Sequence, residues 1–179
     1  KAMNKTEIKL EYEVALEKNE GIPAIIVAAG ASRRMNGINK QFLSIKGIPV
    51  IAKTLLAFEK CSAVKNIILV VRDEDIYDLQ LLAEKYSISK LSDIVCGGKT
   101  RQDSVLRGLS RLAKQDEKVL IHDGARPFVS EEIIALVAKA LDDFSSVTCA
   151  VKVKDTIKEI DENGVVIKTL NRERLSSVQ

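Results

Sequence analysis

Short apolar runs recur along the chain from Ile22 onward: Ala24 to Ala29, Ile67 to Val71, Val119 to Ile121 and Val147 to Val153. A run of this length with no polar face predicts a strand buried on both sides, as in a parallel sheet. Between the runs the apolar residues change to helical spacing. Val50, Ile51, Leu55 and Phe58 follow Pro49, Ile76 leads to Leu79, Leu82 and Tyr86, and Val105 leads to Leu106, Leu109 and Leu112. A further helix is predicted from Ser130, an N-capping residue, with Glu131 and Glu132 in the turn where carboxylates complement the helix dipole. Alternation of buried strand and amphipathic helix predicts an α/β fold with a doubly wound, mainly parallel sheet.

Residues 21–179 read as one domain, while residues 1–20 read as an N-terminal appendage. In that appendage Ile8, Leu10, Tyr12, Val14 and Leu16 alternate with mostly charged residues, favouring an edge strand. A length of 179 residues with 46% hydrophobic content is enough for one sizeable core. After Val153 the pattern turns polar. Residues 154–171 read as a projecting β-hairpin arm in which Asn163-Gly164 supplies the positive φ angles of a tight turn. A lone hairpin is marginal in water, so the arm is expected to lie on the body or on another subunit.

Charge excludes some partners. Lys and Arg number 28 against 25 Asp and Glu, too even a balance to predict the cationic face that a nucleic-acid backbone requires. Cys61, Cys96 and Cys149 are odd in number and match no zinc spacing, which points to a reducing cytoplasm. No apolar run is long enough to span a bilayer.

The candidate chemistry lies where strands are expected to end. Ala28-Ala29-Gly30-Ala31-Ser32-Arg33-Arg34-Met35 follows the first apolar run, and its small residues let backbone N–H groups approach a polyphosphate. It lacks the three spaced glycines of a dinucleotide fingerprint and the Gly-Lys-Ser/Thr of a P-loop, so a dehydrogenase is disfavoured. Arg33 and Arg34 stand where phosphate charge would lie, and Lys40 follows within reach of the same anion. Cys96-Gly97-Gly98-Lys99-Thr100-Arg101-Gln102-Asp103-Ser104-Val105 places a Gly-Gly turn between a strand and a helix, with Thr100 as a natural N-cap. In His122-Asp123-Gly124-Ala125-Arg126-Pro127 a carboxylate ends a strand, suited either to Mg2+ against substrate phosphates or to capping a turn. His122 is the only histidine and is assigned no chemical role, which argues against a Ser-His-Asp hydrolase. No carboxylate pair at helical spacing suggests general acid and base, so catalysis by charge and positioning is expected.

Taken together and in order, these stretches resemble the 2-C-methyl-D-erythritol 4-phosphate cytidylyltransferase family, from about Ile22 to Gln179. Lys154-Asp155-Thr156 and Asn171-Arg172 complete the set. The resemblance implies a nucleotide-diphospho-sugar-transferase-like fold, a Mg2+ or other divalent cofactor, and transfer of CMP from CTP to methylerythritol phosphate with release of pyrophosphate. It implies that Arg34 and Lys40 stabilise the transition state, that Ala28, Ala29, Gly30, Gly97, Gly98, Arg101 and Ser104 hold the nucleotide, and that Asp123 serves the metal, nucleotide and substrate. Arg126, Thr156 and Arg172 would hold methylerythritol phosphate, the last two across a homodimer interface built by the arm. It further implies a closing strand and helix after Gln179, bearing an acidic metal-site residue and a substrate-binding lysine. Two departures stand out: Ser32, where the family often has glycine, and Lys99, where an acidic residue is common. The rival readings are a ribitol 5-phosphate cytidylyltransferase, which shares several motifs but differs around Arg101 and Asp103-Ser104-Val105, and a nucleotide-binding homologue without catalysis.

Overall fold

The computed structural model describes residues 21–30 and 40–178, and the predicted appendage at residues 1–20 lies outside them. The chain divides after Lys139 into two compact units.

The first unit is built on four parallel strands: β1 (Ile22–Val27), β4 (Val64–Val71), β5 (Leu91–Cys96) and β6 (Leu120–Asp123). Their order in the sheet is β5-β4-β1-β6, and every pairing is parallel. The chain therefore starts at the centre, winds outward to β5, then returns to the other side of β1. That reversal opens a crevice at the carboxyl ends of β1 and β6, the place where sheets of this kind bind ligands. The β1 and β4 interiors explain the central position of these strands: Ile25, Ile26, Ile67, Ile68, Leu69, Val70 and Val71 are each at most 1% exposed. Burying each side chain contributes roughly 1.5–3 kcal/mol, so apolar runs of this kind are driven to the middle of the sheet.

The predicted helices form as α1 (Val50–Lys60), α2 (Ile76–Lys85), α3 (Arg101–Leu109) and α4 (Glu131–Ala140). Helix α1 buries Ile51, Leu55 and Phe58, and its buried Thr54 hydroxyl donates to the Gly124 carbonyl at 2.8 Å. That bond ties the helix to the loop after β6. The predicted caps also form: the Ser130 hydroxyl accepts from the Ile133 N–H at 3.4 Å, and Thr100 closes a reciprocal capping box with Asp103. A small hairpin precedes α1, its strands β2 (Ser44–Ile45) and β3 (Ile48–Pro49) joined through Lys46 and Gly47, both at positive φ.

Two strand readings are corrected. β6 is an edge strand of the four-stranded sheet, and Ile121 is 43% exposed rather than buried on both faces. The run from Val147 to Val153 yields only β7 (Ala150–Lys152), a strand of the second unit exposed throughout. Thr148 and Lys152 interrupt its apolar character, and it pairs antiparallel with β10 (Ser176–Val178) in the second unit.

The second unit also holds the expected hairpin, β8 (Lys158–Ile160) with β9 (Val166–Thr169). Its turn differs from the expected one. Only Gly164 has positive φ, at 81°, and its N–H donates to the Asp161 carbonyl at 3.1 Å. The Asp161 carboxylate accepts from the N–H groups of Asn163 at 3.0 Å and Val165 at 2.8 Å. An aspartate that caps its own turn lets Asn163 keep ordinary backbone geometry and leaves the left-handed position to glycine.

Candidate functional site

The crevice of the first unit is a cavity of about 430 Å³ lined by Ala28, Ala29, Gly30, Lys40, Gly98, Lys99, Arg101, Ser104 and Asp123 among others. Its size falls within the range of small-molecule sites, roughly 300–1,000 Å³. Parallel register puts these residues together, because Val27 at the end of β1 pairs with Asp123 at the end of β6 and Val71 pairs with Cys96.

One wall is the strand-to-loop turn after β1. The Ala28 N–H donates to the Val70 carbonyl at 2.7 Å, whereas the N–H groups of Ala29 and Gly30 have no partner among the described residues. Unpaired amides at the rim of a cavity attract an anion, since leaving them dry costs free energy. Lys40 opens a single 3-10 turn, Lys40–Phe42, and its side chain reaches no described partner. Arg34, the other expected transition-state residue, lies outside the described residues.

A second wall, in contact with the first, is the turn between β5 and α3. The Gly97 N–H donates to the Val71 carbonyl at 2.7 Å. A Cβ on Gly97 would overlap Ala29 Cβ and lie 2.9 Å from Ser104 Oγ, so glycine is required by close approach rather than by φ. Gly97 thus stands behind the cavity surface, packed against the turn after β1. Ser104 is 2% exposed. Its hydroxyl donates to the Thr100 carbonyl at 2.9 Å and accepts from the Gly98 N–H at 3.1 Å, so what remains to it is one acceptor lone pair. Ser104 therefore holds the glycine turn in shape as well as lining the cavity, a role that its motif position alone did not disclose.

Asp123 is the one carboxylate lining this cavity among the described residues. Its Oδ1 accepts from Arg101 Nε at 3.2 Å and Arg101 Nη2 at 2.8 Å, and its Oδ2 accepts from Arg126 Nε at 3.1 Å. Partial burial opposes its ionisation, but the two guanidiniums outweigh that and hold the carboxyl below its ordinary range. The carboxylate thereby fixes the first residue of α3 and the loop after β6 relative to each other. His122 supports the same loop: its Nε2 lies 3.0 Å from the Arg126 carbonyl, and its ring sits 5.1 Å from that of Phe58. Burial pushes its imidazole below the ordinary value, which favours the neutral ring in which Nε2 carries the proton to that carbonyl. The spacing His122 to Arg126 was the signal available for this contact, and it is structural.

Thr156 and Arg172 belong to the second unit. Thr156 is exposed just before β8, and Arg172 starts a 3-10 turn capped by Asn171, its guanidinium donating to the Lys154 carbonyl at 2.9 Å.

A parallel sheet reversing beside its first strand, with a cation-lined cavity at that reversal, defines a doubly wound α/β protein with its ligand crevice at the switch point. Residues 22–179 match the family model described as IspD, 2-C-methyl-D-erythritol 4-phosphate cytidylyltransferase. The enzyme of that name from Clostridium novyi (strain NT) is 48% identical over 158 residues, which cover 87% of this chain and 68% of the relative. The one from Bacillus cereus (strain ATCC 14579) is 46% identical over 156 residues with the same coverage of both. Among solved structures, the 4-diphosphocytidyl-2C-methyl-D-erythritol synthase from Anaerococcus prevotii DSM 20548 superposes with a TM-score of 0.78 at 36% identity, covering 89% of this chain and 68% of that one. The chain belongs to the 2-C-methyl-D-erythritol 4-phosphate cytidylyltransferase family.

Proposed function

We propose that this protein transfers CMP from CTP to 2-C-methyl-D-erythritol 4-phosphate and releases pyrophosphate. The observation that carries the reading is the cavity itself: it is lined by Ala29, Gly30 and Lys40, whose amides and ammonium have no partner among the described residues, and by Arg101 and Asp123, the latter also paired with Arg126. In this reaction a phosphate oxygen of the acceptor forms a bond to the α-phosphorus of CTP while the bond from that phosphorus to the bridging oxygen breaks. No proton transfer is needed, so the protein's task is to align two anions and offset their charge. The amides of Ala29 and Gly30 bind phosphate oxygens, Lys40 offsets charge as it develops on the leaving pyrophosphate, and Arg34 acts with it. Gly97, Gly98 and Ser104 shape the base end of the donor site. Arg126 binds the acceptor phosphate, with Thr156 and Arg172 contributed through a homodimer arm.

A divalent cation fits the donor set. Among the described residues no three His, Cys, Asp or Glu converge, yet Mg2+ commonly takes one or two carboxylates and completes its shell with phosphate and water. Three N–H groups engage the Asp123 carboxylate, leaving a lone pair on Oδ2 for such a ligand. When bound, the cation neutralises triphosphate charge.

The test is pyrophosphate release from CTP with Mg2+ in the presence of methylerythritol phosphate. Turnover that requires that acceptor supports the reading, and equal turnover with ribitol 5-phosphate overturns the substrate assignment.

A further inference from the structure

The turn after β6 carries Asp123 and Arg126, and much of its shape is local. The Arg126 N–H donates to the Asp123 carbonyl at 3.0 Å, Arg126 Nε donates to the Asp123 carboxylate, and His122 Nε2 meets the Arg126 carbonyl. Between them, Gly124 joins the turn to the body. Its N–H donates to the Val27 carbonyl at 2.8 Å, continuing the ladder between β1 and β6 one residue past the strand. The ladder ends there. The next backbone group, the Gly124 carbonyl, is held instead by the Thr54 hydroxyl of α1 at 2.8 Å, and no other donor among the described residues reaches it.

Thr54 is suited to that bond. It is fully buried, and its hydroxyl has a single proton to give. Two carbonyls lie in reach, Val50 at 3.3 Å in its own helix and Gly124 at 2.8 Å, so the shorter bond to the turn takes the proton. A helix position that needed bulk alone would be filled as well by valine, which has the same shape and no polar atom to bury. Water is no substitute for the hydroxyl. Gly124 is buried, and a Cβ built on it would lie 2.8 Å from Ile51 Cδ1 and 3.0 Å from Ala28 Cβ.

We propose that Thr54 is a positioning residue for the acceptor side of the site: through the Gly124 carbonyl it orients the peptides that lead to Arg126, and so aims the arginine assigned to the acceptor phosphate. This rests on the cytidylyltransferase reading above. Asp123 is held independently, by its register with Val27 and by Arg101, so the donor side does not depend on the Thr54 bond.

Kinetics with methylerythritol phosphate, calorimetric titration of CTP without acceptor, and thermal melts of the native protein, Thr54→Val and Thr54→Ser test it. Thr54→Val keeps the shape and loses the donor, so kcat/KM for the acceptor should fall about 10-fold, as for loss of one buried hydrogen bond, while CTP affinity stays native-like. Thr54→Ser keeps the donor and loses a methyl group, so it should melt lower yet retain kcat/KM. In an Arg126→Ala background, Thr54→Val should bring no further loss. If Thr54→Val does not fold, Thr54→Cys, a weak donor, takes its place with the same expectations. Native-like kcat/KM in the donor-deficient variant, an equal loss in Thr54→Ser, an equal loss of CTP affinity, or full additivity with Arg126→Ala overturns the inference while leaving the functional reading intact. A native protein without turnover overturns both.

Discussion

Replacing Gly97 with alanine adds one methyl group at the point where the turn after β1 and the turn after β5 touch. The new Cβ would overlap Ala29 Cβ, approach Ser104 Oγ to 2.9 Å and lie 3.4 Å from the Val71 carbonyl oxygen. None of the three can step aside cheaply. Ala29 has no rotamer to change, the Ser104 hydroxyl is held by Thr100 and Gly98, and the Gly97 N–H is bonded to that same Val71 carbonyl. The turns must therefore separate by roughly 1 Å, and overpacking of this kind costs about 1–3 kcal/mol. For a chain of this size that lowers Tm by roughly 2–12 °C. The functional cost is larger, because a misplacement of about 1 Å at a reaction centre lowers the rate by about 10²-fold. Gly30→Ala is the control: its added Cβ meets nothing within 4 Å among the described residues, and φ there is not positive. It should keep its melting temperature while the methyl group obstructs phosphate at the rim and weakens CTP binding. Urea midpoints, melting curves and kcat/KM for both variants decide the matter. Native-like stability and kcat/KM in Gly97→Ala, or equal destabilisation by Gly30→Ala, would refute the close-approach argument.

Three further outcomes follow from the site and its surroundings. Lys40→Ala should lower kcat by about 10²-fold or more, as loss of a preorganised charge donor does, with an unchanged circular dichroism melt; a near-native kcat contradicts its role. Because Arg101 and Arg126 outweigh burial and hold the folded Asp123 carboxyl below its ordinary value, its stabilising contribution is present above the unfolded carboxyl pKa of about 3.9 and fades as pH falls through the lower folded value. The difference in urea midpoint between native protein and Asp123→Asn should be full at pH 7 and shrink below about pH 4; a difference that widens on acidification contradicts the clamp. Cys149 is exposed while Cys61 is buried, and burial pushes the Cys61 thiol up, so Ellman's reagent should label Cys149 first and Cys61 only as the protein unfolds.

The site was legible in the sequence because its chemistry sits at strand ends, and parallel register then does the assembling. Ala28-Ala29-Gly30, Gly97-Gly98 and Asp123 are spread over nearly a hundred positions, yet pairing of Val27 with Asp123 and of Val71 with Cys96 brings all three to one rim. The features that escaped depend on partners that no periodicity encodes. A strand of two residues, as in β2 and β3, carries no period to read. At the hairpin, Asn163-Gly164 advertised a two-residue turn, and the Asp161 side chain imposed a longer one by capping two N–H groups. The run from Val147 to Val153 has strand composition, but pairing with β10 leaves its described strand exposed. Asp123 shows the same division within the site. Its place at the end of an apolar strand marked it for a metal or a turn, whereas the fold commits three of its lone pairs to two arginines. A residue's position along a strand thus fixes where its chemistry is delivered. The hydrogen bonds it accepts on arrival decide how much of that chemistry remains available to a ligand.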